Sequence, residues 1–462
     1  MWSCKSLPVG THSGHRWSLH PAFWKGFSAV LLLLVIFREY TNPGIVSDWA
    51  QQHTDAPTVA APSAPSAPIV PIEPQPVWPS QPASLDWQYN WARDGNNQAL
   101  TASQCDAAFP KLYQEIDRAR AHFNGKKITE KHIELSGGND GGVRFLIVDS
   151  QVRIVETRGL FREDFRYRII ALAQQVVQAV AAADAAGEPI PNIEFTVVVD
   201  DIAVLDKKNP GALWAFTRKS ADPRQDNLWL IPSFHFFGAP PEAEGYRTMQ
   251  GKSRKHDSPL AQKIPQVVWR GALWTNEVVR RPLLQVTADK EWANVSSMDW
   301  GKPDTVIPMD EFCKYRYTIN TEGRSWSARM THLFNCDSLL FVHDVEWIAH
   351  YYHLIKTGAN AVRVRRDFSD LESSILHCNE NLEEAQQIAD QAKKTFRERY
   401  TTPAAAACYW RKLMRTWAGT VKFEPIIHET KDGRSVKKAR GVGFEEFLVH
   451  KNDEDVPYKG SG

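Results

Sequence analysis

The chain has 462 residues, enough for roughly two or three domains. Its 55 basic and 54 acidic side chains leave a net charge of +1, which argues against general nucleic-acid binding, since that function needs a strong basic excess. Hydrophobic residues make up 43% of the chain, so a sizeable core is expected. Most of the 17 tryptophans should pack in that core, although indole rings also stack on sugars and bases.

The N-terminal region carries an apolar run, Phe27–Phe37, which basic residues precede. Because Arg38 follows directly and no small-residue cleavage site is evident, the pattern predicts an uncleaved signal anchor. Residues 1–20 would be a cytosolic tail and residues 21–38 a transmembrane segment. A cleaved signal peptide is the alternative. Both interpretations place the remainder of the chain in the secretory pathway.

Proline, alanine and serine dominate residues 39–84, a composition typical of an extended stem. An anchor, a stem and a large lumenal domain form the layout of glycosylation enzymes of the Golgi or endoplasmic reticulum, and of some receptors and sheddases. We therefore expect a single-pass type II membrane protein whose main domain lies in the lumen of one of these compartments.

Six cysteines and one sequon bear on processing in the lumen. If the anchor is correct, Cys4 is cytosolic, and at least one of the five lumenal cysteines is unpaired. The sequon Asn294-Val295-Ser296 is either a glycosylation site, which would make the chain a glycoprotein, or a chance match.

Strand and helix patterns begin near residue 143. Two alternating runs within 143–155 flank Asp149-Ser150 and predict a β-hairpin. Residues 165–186 have helical spacing and end at Gly187. The continuous apolar run 193–199 predicts a buried strand of the parallel-sheet type.

The alternation continues in the second half of the chain. Residues 266–269 predict a strand, and 382–400 and 404–418 predict helices, the first of them amphipathic with a solvated polar face. Two blocks of alternating strands and helices predict an α/β fold with two lobes. The charged stretch 430–462 is expected to be a closing loop or a frayed tail.

The most informative segment is 313–347, whose pattern is strand, glycine turn, helix and strand. Tyr315–Asn320 is rich in aromatic and β-branched residues, and Gly323 follows it. Helix-compatible spacing covers 325–334, and a second apolar strand covers 338–342.

A helix start beside a glycine turn offers unpaired N–H groups and a positive dipole end to an anion. Arg324, Ser325 and Arg329 lie at this predicted start. The segment therefore predicts a diphosphate site.

Asp200-Asp201 directly follows the predicted strand 193–199. A carboxylate at the carboxyl end of such a strand can deprotonate an acceptor hydroxyl, or ligate a Mg²⁺ or Mn²⁺ that bridges a nucleotide diphosphate. A strand-ending turn with an Asx cap explains the same two residues.

Two further candidates also follow predicted strands. Arginine grips phosphate and glycine permits close backbone approach, so Arg270-Gly271 is a candidate phosphate contact, or an ordinary strand exit. Glu346 is placed to accept ribose hydroxyls, or to cap a helix. Arg280 and Arg281 add charge nearby but are equally expected in solvent.

The order and spacing of one set of residues are specific: Cys313-Lys314-Tyr315-Arg316-Tyr317, Asn320, Gly323, Ser327, Arg329, His332-Leu333-Phe334, Cys336, Ser338-Leu339 and Glu346-Trp347. Similar residues occur at Arg270-Gly271, Arg281-Pro282-Leu283, 367–371 and Cys408-Tyr409-Trp410. With them, residues 143–417 resemble glycosyltransferase family 90, the capsule-associated-protein type, which includes animal protein O-glucosyltransferases and fungal β-xylosyltransferases.

The resemblance implies a GT-B fold, in which two Rossmann-like lobes face a cleft. Residues 85–240 would form the acceptor-side lobe. Residues 241–429 would form the UDP-sugar donor lobe, with a C-terminal helix that packs back on the first lobe. Residues 430–462 would then be a charged tail.

The resemblance also implies an inverting transfer from a UDP-sugar without a required metal or other cofactor. Asp201 would be the catalytic base. Arg270 and Arg329 would hold the diphosphate, with Gly271, Ser325 and Ser327 as close polar contacts. The patterns described above add Gly323, Arg324 and Glu346 to the expected donor site. The chain has Asp200-Asp201 where the glucosyltransferases have Arg-Asp, and Glu322 where they carry arginine.

Disulfides Cys313–Cys336 and Cys105–Cys408 are likewise implied by the resemblance, which leaves Cys378 as the odd thiol. The expected donor is UDP-xylose first and UDP-glucose second. A glycan is favoured over a protein as acceptor, with a fungal cell wall or capsule as context. The alternatives are a metal-dependent transferase that uses Asp200-Asp201 as a metal pair, and a non-catalytic lumenal sugar-binding protein.

Overall fold

Two β-sheets and the helices packed on them form the structure, a computed structural model. It describes residues 87–457 apart from 136–137, 139, 206–210, 239–243, 300, 432–433 and 450–453, and these residues belong to one compact unit. The predicted cytosolic tail, anchor and stem all lie outside the described residues. Within the described part, none of the helices has the length and apolar character needed to span a membrane.

In the residues that the structure describes, fifteen strands alternate with helices. The helices are α1 (Trp91–Asp94), α2 (Ala102–Ala108), α3 (Gln114–His122), α4 (Glu163–Ala185), α5 (Tyr246–Arg254), α6 (Glu277–Val286), α7 (Arg329–Leu333), α8 (Leu371–Glu380), α9 (Leu382–Thr395), α10 (Pro403–Thr420) and α11 (Phe444–Leu448). The strands are β1 (Gly142–Val148), β2 (Gln151–Arg158), β3 (Ile193–Val198), β4 (Trp214–Ala215), β5 (Arg218–Lys219), β6 (Trp229–Leu230), β7 (Ile264–Gly271), β8 (Ala293–Ser297), β9 (Tyr315–Asn320), β10 (Leu339–His343), β11 (Trp347–Ile348), β12 (Val362–Val364), β13 (His428–Lys431), β14 (Arg434–Ala439) and β15 (Val442–Gly443).

The first sheet is mixed, with the order β15-β2-β1-β3-β4-β6. The predicted hairpin is confirmed: β1 and β2 are antiparallel, and Asp149 and Ser150 adopt φ angles of 48° and 62° in its turn. Strand β3 is buried along its whole length, as predicted. Strand β3 runs parallel to β4 but antiparallel to β1. The prediction of a strand in a parallel sheet is therefore correct for one of its two neighbours.

The second sheet has five strands in the order β12-β10-β9-β7-β8, and all of them run parallel. Its carboxyl ends therefore meet at one edge, where ligands bind in open α/β sheets. Strand β7 extends through Gly271, so Arg270-Gly271 forms the end of the strand and does not follow it.

The helix predicted for 325–334 is much shorter in the structure, where α7 covers only Arg329–Leu333. Residues before it are drawn toward the first sheet, because the Ser325 hydroxyl donates to the Asp201 carbonyl and the Trp326 ring packs 6.3 Å from that of Phe216. A five-residue helix has too small a dipole to bind an anion. The prediction that a helix N-terminus forms the anion site is therefore wrong.

Helix α10 packs against the first sheet, as the resemblance implies. Trp410 and Trp417 are buried on it, and their rings lie 6.1 Å and 5.5 Å from that of Trp214 on β4. The expectation that tryptophans serve mainly in core packing is thus confirmed for these three.

Part of the segment 430–462 has regular structure. Strands β13 and β14 form a hairpin, β15 extends the first sheet beside β2, and the buried Arg440 forms an ion pair with the buried Glu194. The expected frayed tail is therefore wrong for these residues, because burial of an ion pair and a sheet edge fixes them.

Both predicted disulfides are present, Cys105–Cys408 and Cys313–Cys336, and Cys378 is a free, buried thiol. Burial raises the pKa of Cys378 to about 11, so it stays protonated and unreactive at neutral pH.

Replacing Cys105 by serine should lower the free energy of unfolding by about 2–5 kcal/mol, because the disulfide joins residues 303 apart in sequence. Denaturant unfolding measures the change. As the control, Cys378→Ala should cost about 1 kcal/mol or less, since it breaks no bond. Equal losses in the two variants would contradict the role given to the disulfide.

Candidate functional site

The loop after β3 and the turn after β9 meet between the two sheets. The Ser325 hydroxyl lies 2.7 Å from the Asp201 carbonyl oxygen, and Arg324 Nη1 lies 3.7 Å from Asp200 Oδ1. The predicted acid and part of the predicted diphosphate site are thus brought together, although they are more than 120 residues apart in sequence.

The two aspartates have different surroundings. Asp200 Oδ1 accepts the backbone N–H of the next residue, Asp201, at 2.7 Å, whereas an Asx turn would use the N–H two residues on. Asp201 Oδ1 accepts Arg168 Nη1 at 3.1 Å, and its side chain is 33% exposed. Asp201 is therefore oriented by one oxygen while its carboxylate stays open to a ligand.

Arg168 was not singled out by the sequence. It lies on α4 and donates to the Val199 carbonyl as well as to Asp201, while its guanidinium lies 5.1 Å from the ring centre of Phe234. Helical spacing alone predicted α4 but gave no signal for which of its residues would face the end of β3.

Arg280 and Arg329 lie around the Trp269 ring near the end of β7, and Arg270, the next residue of that strand, is directed at Asn294 of β8. Among the described residues, Arg270, Arg280 and Arg329 form no ion pair with a carboxylate. Arg270 donates to the carbonyls of Trp269 and Asn294, and Arg280 donates to those of Ala272 and Glu322. Backbone dipoles therefore hold these two charges in place without neutralising them.

Arg329 is the least satisfied of the three. Its Nε and Nη1 atoms are shielded from solvent and have no hydrogen-bond partner in the part of the chain that the structure describes. Its guanidinium and that of Arg280 lie 5.7 Å and 5.5 Å from the ring centre of Trp269. Such cation–π contacts stabilise a guanidinium only modestly.

Burial depresses the pKa of all three guanidinium groups. It lowers the pKa of Arg329 to about 9, with Arg280 as a second cause, and that of Arg280 to about 10. The pKa of Arg270 is lowered by burial as well. The charged forms are thus disfavoured in the free protein, and an anion bound among them would reverse this.

The predicted glycines lie where the backbone is close to this cluster. A Cβ atom on Gly271 would be 2.6 Å from the Trp269 ring and 3.2 Å from Arg329 Nη2, so any side chain there would displace the indole or the guanidinium. Gly323 donates its N–H to the Ser325 carbonyl and accepts Asn276 Nδ2 at 2.9 Å. Ser327 is buried in the same turn.

Glu346 is not free. Its carboxylate lies 2.7 Å from Lys219 Nζ and 3.4 Å from Arg366 Nη2, and its side chain is 44% exposed. These cations hold its pKa below the usual range, with the Lys219 hydrogen bond as the largest cause. Glu346 therefore links β5 and β11 as well as being a candidate for ribose contact.

Glu322 is the central acid of this region, and sequence reasoning had noted only that it departs from the glucosyltransferase pattern. It is 1% exposed. Oε1 accepts the backbone N–H groups of Glu346 and Trp347, both at 2.7 Å, and Oε2 lies 2.6 Å from Arg366 Nη1. Glu322 thus fixes the loop that carries Glu346.

Arg280 and Arg281 separate clearly in the structure. Arg280 is 5% exposed within the cluster, whereas Arg281 is exposed and pairs with Glu277. Helical periodicity across α6 distinguishes them, because the buried residues Val279, Arg280 and Leu283 share one face.

The sequon residue Asn294 lies in β8 and has its side chain engaged. Its Nδ2 donates to the Tyr315 hydroxyl at 2.6 Å, and its Oδ1 accepts Arg270 Nη2 at 2.6 Å. A glycan on Nδ2 would compete with the Tyr315 hydroxyl for that nitrogen, so the folded domain disfavours modification there.

One cluster has the residue types of a metal site. In the described ranges, His256, Asp310 and Glu311 are the one group whose potential ligand atoms all lie within 4.8 Å of one another. Asp200 and Asp201 do not belong to such a group, and arginines contact both carboxylates.

The fold and the arginines at the site place this protein in the α/β class, with positive charge that no carboxylate of the described residues neutralises at the carboxyl edge of a parallel sheet. Residues 102–441 match the model of Glycosyl transferase family 90. Because this match covers most of the chain, the chain belongs to glycosyltransferase family 90.

Comparisons with individual proteins agree with the family. The chain is 27% identical over 218 residues to an O-glucosyltransferase rumi homolog of Aedes aegypti, covering 42% of this chain and 54% of that protein. It is 24% identical over 257 residues to protein O-glucosyltransferase 1 of Homo sapiens, covering 51% and 64%. The matched part thus spans about half to two thirds of these relatives.

A solved structure with some likeness is that of Anabaena Alr3699/HepE in complex with UDP and glucose. Its TM-score is 0.28 at 11% identity, over 51% of this chain and 77% of that chain. A likeness this weak carries no argument about the fold.

Replacing Glu322 by alanine should lower the free energy of unfolding by about 2–4 kcal/mol, because the change leaves two N–H groups without their acceptor and Arg366, which is 31% exposed, without its carboxylate. Glu322→Gln keeps an oxygen for the N–H groups and should lose less. Denaturant unfolding gives both values.

Glu346→Gln is the matched control for Glu322. The exposed pair with Lys219 should contribute under about 1 kcal/mol, since solvent screens it. A loss from Glu322→Ala as small as that of the control would show that Glu322 does not hold the loop.

Proposed function

We propose that this chain is an inverting glycosyltransferase with two facing lobes of the GT-B kind, which transfers a sugar from a UDP-sugar to a hydroxyl group. One observation carries the proposal: the guanidinium groups of Arg280 and Arg329 are desolvated without a carboxylate partner among the described residues, beside the turn 323–325 whose Ser325 hydroxyl contacts Asp201. The family and the relatives named as O-glucosyltransferases support it.

The diphosphate of the donor would lie among Arg270, Arg280 and Arg329. Gly271 lets the Trp269 ring and Arg329 lie close to the backbone, and the turn that contains Gly323 and Ser325 closes the site toward the first sheet. Arg324 and Ser327 belong to the same turn. Glu346 lies beyond β10, on the side proposed for the ribose.

In the proposed reaction, an acceptor hydroxyl attacks the anomeric carbon of the sugar as the bond to the diphosphate oxygen breaks. Asp201 takes the hydroxyl proton, and Arg168 orients its carboxylate. A single displacement inverts the anomeric configuration. Negative charge grows on the leaving UDP, where the preorganised arginines stabilise it.

With arginines in this role, we propose that no metal ion or other cofactor is required. We propose glucose or xylose as the transferred sugar, since the named relatives are glucosyltransferases and Glu322 departs from their pattern. The acceptor would be a glycan or glycoprotein hydroxyl. Location in the Golgi or endoplasmic reticulum through the N-terminal anchor stays a prediction.

Replacing Arg329 by alanine should weaken UDP binding by about 10- to 100-fold, because a charge-assisted hydrogen bond contributes about 1.5–3 kcal/mol. Isothermal titration calorimetry with UDP measures this. The variant should be at least as stable as the original chain, since a desolvated charge is removed.

The exposed Arg281→Ala is the control and should leave UDP binding unchanged. Normal UDP affinity in Arg329→Ala would overturn its role at the diphosphate. Sugar binding without any UDP affinity in the unaltered protein would favour a non-catalytic sugar-binding protein.

Replacing Asp201 by asparagine should reduce transfer by about 100- to 10,000-fold while UDP binding is retained, because a general base is lost but the donor site is not. Product formation from a UDP-glucose and UDP-xylose panel measures turnover. If Asp200→Asn abolished transfer and Asp201→Asn did not, Asp200 would be the base. Activity that disappears in a chelator would favour the metal-dependent alternative.

A further inference from the structure

Trp274 is an aromatic side chain in an unusual place. It lies on the short 3₁₀ turn Leu273–Thr275 between β7 and α6, and it is 73% exposed. Val278, on the first turn of α6, is 80% exposed. Single exposed apolar residues are common on protein surfaces, so the exposure alone proves nothing. The position of this turn beside the candidate site is what suggests a function for Trp274.

The turn is held rigidly against the candidate site. Thr275 Oγ1 donates to the Ala272 carbonyl at 2.9 Å, and the guanidinium of Arg280 donates to the same carbonyl. Asn276 Nδ2 donates to the Gly323 carbonyl at 2.9 Å. The backbone that carries Trp274 is therefore tied both to the arginine cluster and to the turn that meets Asp201.

The strand order shows which end of a bound donor this turn would face. Strand β9 lies between β10 and β7. Glu346, the proposed ribose contact, follows β10 on one side of β9, whereas Trp274 follows β7 on the other. With the diphosphate between them, Trp274 lies on the side of the transferred sugar and the acceptor, away from the uridine.

We propose that Trp274 is a stacking platform for a sugar ring of the acceptor, which makes a carbohydrate the substrate class that the site recognises. This inference rests on the proposed transferase function. An indole offers a flat apolar face that matches the C–H face of a sugar ring, and its rigid turn reduces the ordering cost of binding.

The test uses the full chain and the variants Trp274→Ala and Trp274→Phe. The acceptors are methyl glycosides and short oligosaccharides of mannose, xylose and galactose, with an unglycosylated folded protein as the comparison. We expect Trp274→Ala to raise the acceptor KM by about tenfold, and phenylalanine to restore much of it. Donor hydrolysis without acceptor, and the Kd for UDP, should not change.

Trp91→Ala is the control, because Trp91 is another partly exposed tryptophan, on α1 outside this site. It should leave the acceptor KM unchanged. Saturation-transfer NMR of the same sugars, without a donor, tests Trp274 even if the unaltered chain hydrolyses no UDP-sugar. A failure of the unaltered chain to hydrolyse any UDP-sugar would count against the transferase proposal and not against the role of Trp274.

Three results would overturn the role of Trp274. The first is that the acceptor KM and the sugar binding measured by NMR in Trp274→Ala both stay within about twofold of those of the unaltered protein. Another is a raised Kd for UDP, which would show that the indole stacks on uracil. The third is an unaltered protein that hydrolyses donor and transfers only to the folded protein.

Discussion

Desolvated positive charge at the edge of the second sheet is the constraint on which the rest of the site depends. Each arginine buried without a carboxylate costs free energy, because water solvates a guanidinium better than carbonyl oxygens and an indole face do. The depressed pKa values of Arg280 and Arg329 express this cost. The carbonyls of Ala272 and Glu322, which accept from Arg280, and the Trp269 ring offset part of it.

Carboxylates are present nearby, yet they are turned elsewhere. Glu322 directs both its oxygens at Arg366 and at the N–H groups of the loop after β10, while only its carbonyl reaches Arg280. Asp200 and Asp201 contact Arg324 and Arg168 instead of the central arginines. These carboxylates therefore stabilise the loops around the site and leave Arg280 and Arg329 free to bind a negatively charged ligand.

Much of this arrangement follows from local patterns in the sequence. Strand ends can be located from apolar runs, and parallel pairing then brings the ends of β7 and β9 to one edge of the second sheet. Asp201 follows a strand of the other sheet, and the Ser325 contact is what links it to this region. The two disulfides were implied by the family resemblance. Arg168 was not predicted because helical spacing does not show which residue of α4 faces the end of β3. The burial of Arg280 was missed because α6 itself was not predicted, so its periodicity was not used.

The error in the helix start has the same origin. Spacing in 325–334 is compatible with a helix, but Ser325 and Trp326 gain more from contacts with the first sheet than from another helical turn. Helical propensity is a weak preference that such contacts override. The serine turn that results replaces the helix dipole as the closing element of the site.

The two sheets are joined at both ends of this region, and that has a consequence for the chemistry. At one end, the turn 323–325 contacts Asp200-Asp201. At the other, β11 pairs with β5, and Glu346 contacts Lys219 across them. Two separate attachments fix the distance between Asp201 and the arginines in the free protein. When the base and the positive charges are already in position, the site needs little reorganisation during a transfer reaction. The desolvated arginines provide this preorganisation, and they lower the stability of the free protein in doing so.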